Sequence, residues 1–169
     1  MLALLILAQA LAPTPAAMDV AKTVCPAMPA ALPADYAGWS VAAPVTAAPD
    51  ASRVGDAMLR IGQGARATLQ PASALRLPVP SARPLGATGH GGVFAFEAAA
   101  AGRYRVALGA GVWVDVVANG AALTSVAHGH GPDCTPVRKY VDFDLKPGRY
   151  LLQVTGDPSV LALMVAKLG

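Results

Sequence analysis

Charge is scarce in this 169-residue chain, at 14% of residues, and no run of one sign stands out. The arginines at 53, 60, 66, 76, 83, 103, 105 and 149 are scattered singly, and Arg138–Lys139 is the one adjacent basic pair. A nucleic-acid binder needs a clustered basic face, often with interleaved aromatics. The net charge of +3 spread in this way excludes that class. Long apolar runs are missing too. The longest, Leu2 to Ala12, falls well short of the roughly 20 residues that cross a bilayer, so no membrane span is expected. There is no Gly-x-Ser-x-Gly elbow and no glycine-rich phosphate loop of the P-loop or Rossmann type. Glutamate occurs once, at Glu97.

Hydrophobic residues make up 54%, but much of that is alanine in the N-terminal third, so the true core is smaller than the figure implies. Residues 1–17, "MLALLILAQALAPTPAA", carry no charged side chain and have the apolar length of a signal-peptide core, with small-residue cleavage sites after Ala10 or Ala16. Export to the periplasm or beyond is the expectation. Lys22-Thr23-Val24 before Cys25 is a poor lipoprotein box, which favours a soluble product. In an oxidising compartment the two cysteines, Cys25 and Cys134, are expected to pair. The alternative is a free Cys134 thiolate available to a metal.

Residues 18–52 are rich in alanine and proline, which disfavours helix and central strand. They are expected to form an extended linker, with Tyr36 and Trp39 as anchors. From residue 53 to 169 the texture turns to period two. One-sided apolar sets recur: Leu75, Leu77, Val79; Phe94, Phe96; Tyr104, Val106, Leu108; Val112, Val114, Val116; Val141, Phe143, Leu145; and Tyr150, Leu152, Val154. "VLALMVAKL" at 160–168 is apolar on both faces and reads as a buried strand. Asp142 and Asp144 alternate to the outside, as a solvated face. "ANG", "KPG" and "TGDPS" supply turns. Short alternating strands at this spacing predict an all-β, antiparallel sandwich of jelly-roll type. Gly-Arg-Tyr opens two of the strands, after "FEAAAA" and "FDLKP": Gly permits the turn, Arg faces solvent and Tyr buries its ring.

The stretch "VFAFEAAAAGRYRVAL…VWVDVVANGAALTS…VDFDLKPGRYLLQVTG" resembles the bacterial pre-peptidase C-terminal domain, over about residues 60 to 168. The resemblance implies a small secreted β-sandwich with an accessory rather than catalytic role.

The chemistry concentrates in "AHGHGPDC", residues 127–134. His128 and His130, one residue apart, can converge on one ion, joined by Asp133, Cys134 or His90 from "TGHGG". Imidazole suits Zn, Cu, Fe and Ni, and a thiolate shifts preference to Cu(I) or Zn. His-x-His also opens the cupin iron motif. However, the positions where a cupin carries its glutamate hold Cys134 and Thr135, and no histidine follows "KPGRY". "AHGHGPDC" with "RKYVDF" is similar to short exported proteins labelled homogentisate 1,2-dioxygenase, which implies a small metal-dependent oxygenase as the enzymatic alternative. The leading expectation is a non-catalytic exported sandwich with an unknown protein or small-molecule ligand. A periplasmic Cu, Zn or Fe binder through His128, His130, His90 and Asp133 stands second.

Overall fold

The computed structural model describes Cys25 and residues 30–169; the expected signal peptide at 1–17 lies outside the described residues. Among the described residues eleven strands form two sheets. One runs in the order β1 (Ala43–Thr46), β2 (Gly64–Thr68), β11 (Val160–Lys167), β5 (Gly102–Leu108), β9 (Lys139–Leu145), β8 (Ala127–Gly129). The other runs β3 (Gln70–Pro71), β4 (His90–Ala98), β10 (Gly148–Gly156), β6 (Trp113–Ala118), β7 (Ala121–Ala122). All pairings are antiparallel except β1 on β2, which is parallel.

The period-two sets explain the packing. Tyr104, Val106 and Leu108 of β5, Val141, Phe143 and Leu145 of β9, and Leu161, Leu163 and Val165 of β11 point at Phe94 and Phe96 of β4, Val114 and Val116 of β6, and Leu152 and Val154 of β10. Side chains that alternate across a pleat can fill one space between two sheets only when both sheets turn their apolar faces inward. The Phe96 and Tyr150 rings, neighbours in register, stack at 5.6 Å.

The two Gly-Arg-Tyr sequences share a physical role. Gly102 (φ 152°) and Gly148 (φ 154°) take backbone angles that favour glycine. Two residues on, the Tyr104 hydroxyl donates to Ala100 O (2.8 Å) and the Tyr150 hydroxyl to Lys146 O (2.9 Å). Each tyrosine thus ties its strand to the turn before it. The β6–β7 connection is a two-residue turn through Asn119 (φ 52°) and Gly120 (φ 75°), the positive angles that match hairpin twist.

Three expectations change. Leu75 to Val79 form no strand. Leu75 and Val79 are buried, but Pro78 and Pro80 deny the segment a ladder, and it lies across β10, where the Gln153 side-chain amide donates to Val79 O (3.1 Å). Within 18–52, Ala34–Ser40 is a 3-10 segment and β1 is an edge strand of the first sheet, not extended linker. Tyr36 and Trp39 are buried there, against Ala107, Val137, Met164 and Ala166 on the sheet's outer face.

Asp142 is the third change. It does face outward, but it is 2% exposed. Arg105, opposite it in register, grips its carboxylate with two hydrogen bonds of 2.8 Å. The same guanidinium lies 4.1 Å from the Tyr140 ring centroid and donates to the Tyr36 hydroxyl (3.3 Å). Two residues along the same ladder, Arg103 pairs with Asp144 at 3.0 Å in the open. The two acids are therefore matched across strands by two arginines, which rules out a paired-carboxylate site.

Candidate ligand cleft and the histidine loop

The histidine loop is held by covalent and backbone constraints. Cys25 is bonded to Cys134, with Cα atoms 5.2 Å apart. Ala30 N donates to Cys134 O (2.9 Å), so Ala30 as well as Cys25 lies against the loop. Thr135 closes a turn on Pro132 O through both its amide and its hydroxyl. A Cβ on Gly131 would collide with the Val137 carbonyl, so glycine is what allows the two sides of the loop to approach. Cys134 itself sits at φ 60°. Its sulfur is committed to the disulfide and no described cysteine is free, which overturns the thiolate-ligand alternative.

The candidate ligands are spread over both sheets. His128 is on β8, the edge strand of the first sheet, opposite Val141, and His130 follows two residues later; both are exposed. Asp133 is exposed in the turn. His90 begins β4 of the second sheet, where its Nδ1 is 3.0 Å from Asp157 O. Among the described residues no group of three or more His, Cys, Asp or Glu side chains is placed to hold a metal ion. The two-His-one-carboxylate arrangement that an iron oxygenase requires is not assembled by these four residues.

One of the histidines does reach a cavity. A cleft of about 240 Å³ opens at the lateral edge of the sandwich, lined by Trp113, Val114 and Asp115 of β6, Leu123 and Ser125 of the crossing chain, His128 of β8, and Lys139, Val141 and Phe143 of β9. Its cause is topological. The chain leaves β7 after two residues and crosses to the other sheet, where Val126 N donates to Asp142 O (2.8 Å). The start of β6 therefore has β10 on one side and, among the described residues, no strand on the other.

Lys139 fills part of that gap. It points inward from β9, and its Nζ donates to Val112 O (2.9 Å) and lies 5.6 Å from the Trp113 ring centroid. Burial pushes its ammonium below the ordinary lysine value, the nearby Arg83 guanidinium adds to that, and Asp115 opposes it. No described carboxylate lies within ion-pair distance of Lys139. Asp115 is engaged elsewhere: Trp113 Nε1 donates to Oδ1 (3.0 Å) and Gln153 Nε2 to Oδ2 (2.9 Å). Sequence reasoning missed Trp113, Asp115 and Lys139, whose only prior signal was a lysine opening a strand at the inward parity.

These features define a two-sheet β-sandwich with a small edge cleft and a disulfide-pinned loop. No protein-family model matches the chain, and no curated protein matches it. Among solved structures the chain is similar to the pre-peptidase C-terminal domain of collagenase from Bacillus anthracis, at 17% identity and a TM-score of 0.39, over 64% of this chain and 91% of that one. No helix among the described residues is long and apolar enough to cross a membrane.

Proposed function

We propose that the protein is an exported, non-catalytic β-sandwich that acts by binding, and that the β6–β9 edge cleft is its binding site. The observation that carries this reading is the cleft itself: an indole, a half-buried ammonium without a described counter-ion and an imidazole converge on one small cavity. Ligand sites have this make-up, mostly apolar walls with a few placed polar groups. Export is supported by the charge-free apolar N-terminus and by a disulfide of the kind that persists in oxidising compartments.

The test uses the two tryptophans. Trp39 is buried under the 3-10 segment and Trp113 is half-buried at the cleft. A panel of small organic molecules titrated into the purified protein is expected to include at least one that changes emission saturably, with the change lost in Trp113→Phe. A panel with no such compound overturns the binding reading.

A second reading, transition-metal binding, is favoured by one observation: His128 and His130 are two residues apart along an exposed edge, and side chains at that spacing share a face in extended backbone. Elemental mass spectrometry on untagged periplasmic protein decides it. Near-stoichiometric Cu, Zn or Fe that disappears in the His128→Ala/His130→Ala protein supports the reading, and its absence from the wild type ends it.

A further inference from the structure

The chemistry of the cleft narrows its ligand class, an inference that rests on the binding reading above. Charge comes first. Lys139 has three ammonium protons and one described acceptor, Val112 O. Asp115, the carboxylate nearest the cleft, already takes neutral donors on both oxygens and turns them toward Trp113 and Gln153. The second cation, Arg83, is close enough to disfavour the charge on Lys139 and makes no described ion pair. Asp115 keeps its negative charge, but at Lys139 the effect of Arg83 exceeds that of Asp115, so the two cations leave this end of the sandwich net positive.

The backbone adds a donor. In an antiparallel strand, successive residues direct their N–H and C=O groups to opposite neighbours. Val116 O accepts from Leu123 N (2.8 Å) and Val112 O from Lys139 Nζ. Both groups lie on the edge of β6 away from β10. Val114, midway between them, directs its N–H and C=O to the same edge, and among the described residues no strand pairs with it there, because β7 pairs only with Val117 and Ala118. Val114 also lines the cleft.

We propose that the cleft binds a small organic carboxylate whose oxygens accept from Lys139 Nζ and the Val114 amide, with its planar or apolar body against Trp113. The walls that Leu123, Val141 and Phe143 contribute suit that body, and the volume of about 240 Å³ confines it to a small molecule. His128, exposed at the cleft, offers an imidazole N–H as a further donor.

The experiment compares benzoate with benzamide, the same ring with and without charge, on the full-length protein carrying 15N label. Benzoate is expected to shift the Val114 amide and change Trp113 emission with one common dissociation constant. Benzamide is expected to bind at least about tenfold more weakly, since a charge-assisted hydrogen bond is roughly twice as strong as a neutral one. Lys139→Met is expected to reduce benzoate binding to the benzamide level, and Lys139→Arg to retain it. Equal binding of the two probes overturns the carboxylate inference and leaves the cleft a binding site. If neither probe moves Val114 while a neutral compound saturates Trp113 emission, the inference also fails alone. If nothing perturbs Trp113, both readings fail.

Discussion

Asp142 tolerates near-complete burial because every charge it presents is answered. Its two oxygens meet the two arms of Arg105, and Tyr140 and Tyr36 flank the guanidinium. That carboxylate holds the Arg105 proton above its ordinary range. A buried pair is weak evidence of net stability, but breaking one by deleting a partner strands the other. Asp142→Ala is expected to destabilise the protein by about 3 kcal/mol, read as a lower midpoint in chemical denaturation at unchanged slope. Arg103→Ala, two residues along the same ladder but in the open, is expected to leave the midpoint unchanged within error, because exposed pairs are screened by solvent. The exposed pair has a different signature. The hydrogen bond and charge of Arg103 hold the Asp144 carboxyl below its ordinary value of 3.8. Its contribution is therefore in place above that value and is lost as pH falls through the lower, folded value. In an NMR titration Asp144 is expected to protonate below 3.8 in the wild type and to move back toward 3.8 in Arg103→Ala.

The 3-10 segment Ala34–Ser40 shows how an element without apolar periodicity can still be fixed. Its backbone lies very close to the sheet. A Cβ on Gly38 would strike the Gly62 carbonyl, and one on Gly64 would come within 2.7 Å of Trp39 O. Glycine at both positions is what allows Tyr36 and Trp39 to settle over Ala107 and Met164. Trp39→Ala is expected to cost about 3 kcal/mol, as for other large-to-small core changes, and to leave benzoate-induced changes at Trp113 intact; thermal melts and the fluorescence titration check the two parts. Such an element was hard to foresee. Two buried aromatics in an alanine- and proline-rich stretch have no periodicity to reveal them, whereas β5, β9 and β10 repeat theirs over whole strands. Alternation alone also misleads. "LRLPV" turns Leu75 and Val79 inward but makes only a single bridge, Arg76 to Asp50, and Asp142 has the outward parity of a solvated residue. The arginines that cover it become visible only once β5 and β9 are paired. The cleft was illegible for the same reason. Trp113 and Lys139 are distant in sequence and sit on different sheets, and they meet because β7 is too short to close the edge between them. The histidines, by contrast, were plain in the sequence, but only His128 of the three lines that cleft.

For the molecule as a whole, the Cys25–Cys134 bond is the covalent constraint, joining residues 109 apart in sequence. Closing a loop of that length removes conformational freedom mainly from the unfolded chain, worth about 4–5 kcal/mol in the chain-entropy account. Contacts local to the cysteines are few by comparison. Cys25 is exposed, and the backbone bond from Ala30 to Cys134 is the nearest described tie. The 3-10 segment beyond it is anchored independently by Tyr36 and Trp39. Loss of the bond should therefore lower global stability and leave the folded sandwich much as it is. For a domain of this size about 1 kcal/mol corresponds to roughly 2–4 °C, so reduction is expected to lower Tm by about 10 °C. Cys25→Ser should melt with the reduced wild type, and reductant should not shift it further. The benzoate response of Trp113 at 25 °C should be the same in all three, because β6 and β9 are held by their own ladders. A fall in Tm of under about 2 °C would mean that the unfolded chain gains little freedom when the bond is cut, which the entropic account forbids for so long a loop. An altered benzoate response would mean instead that the pinned loop helps to shape the cleft through His128.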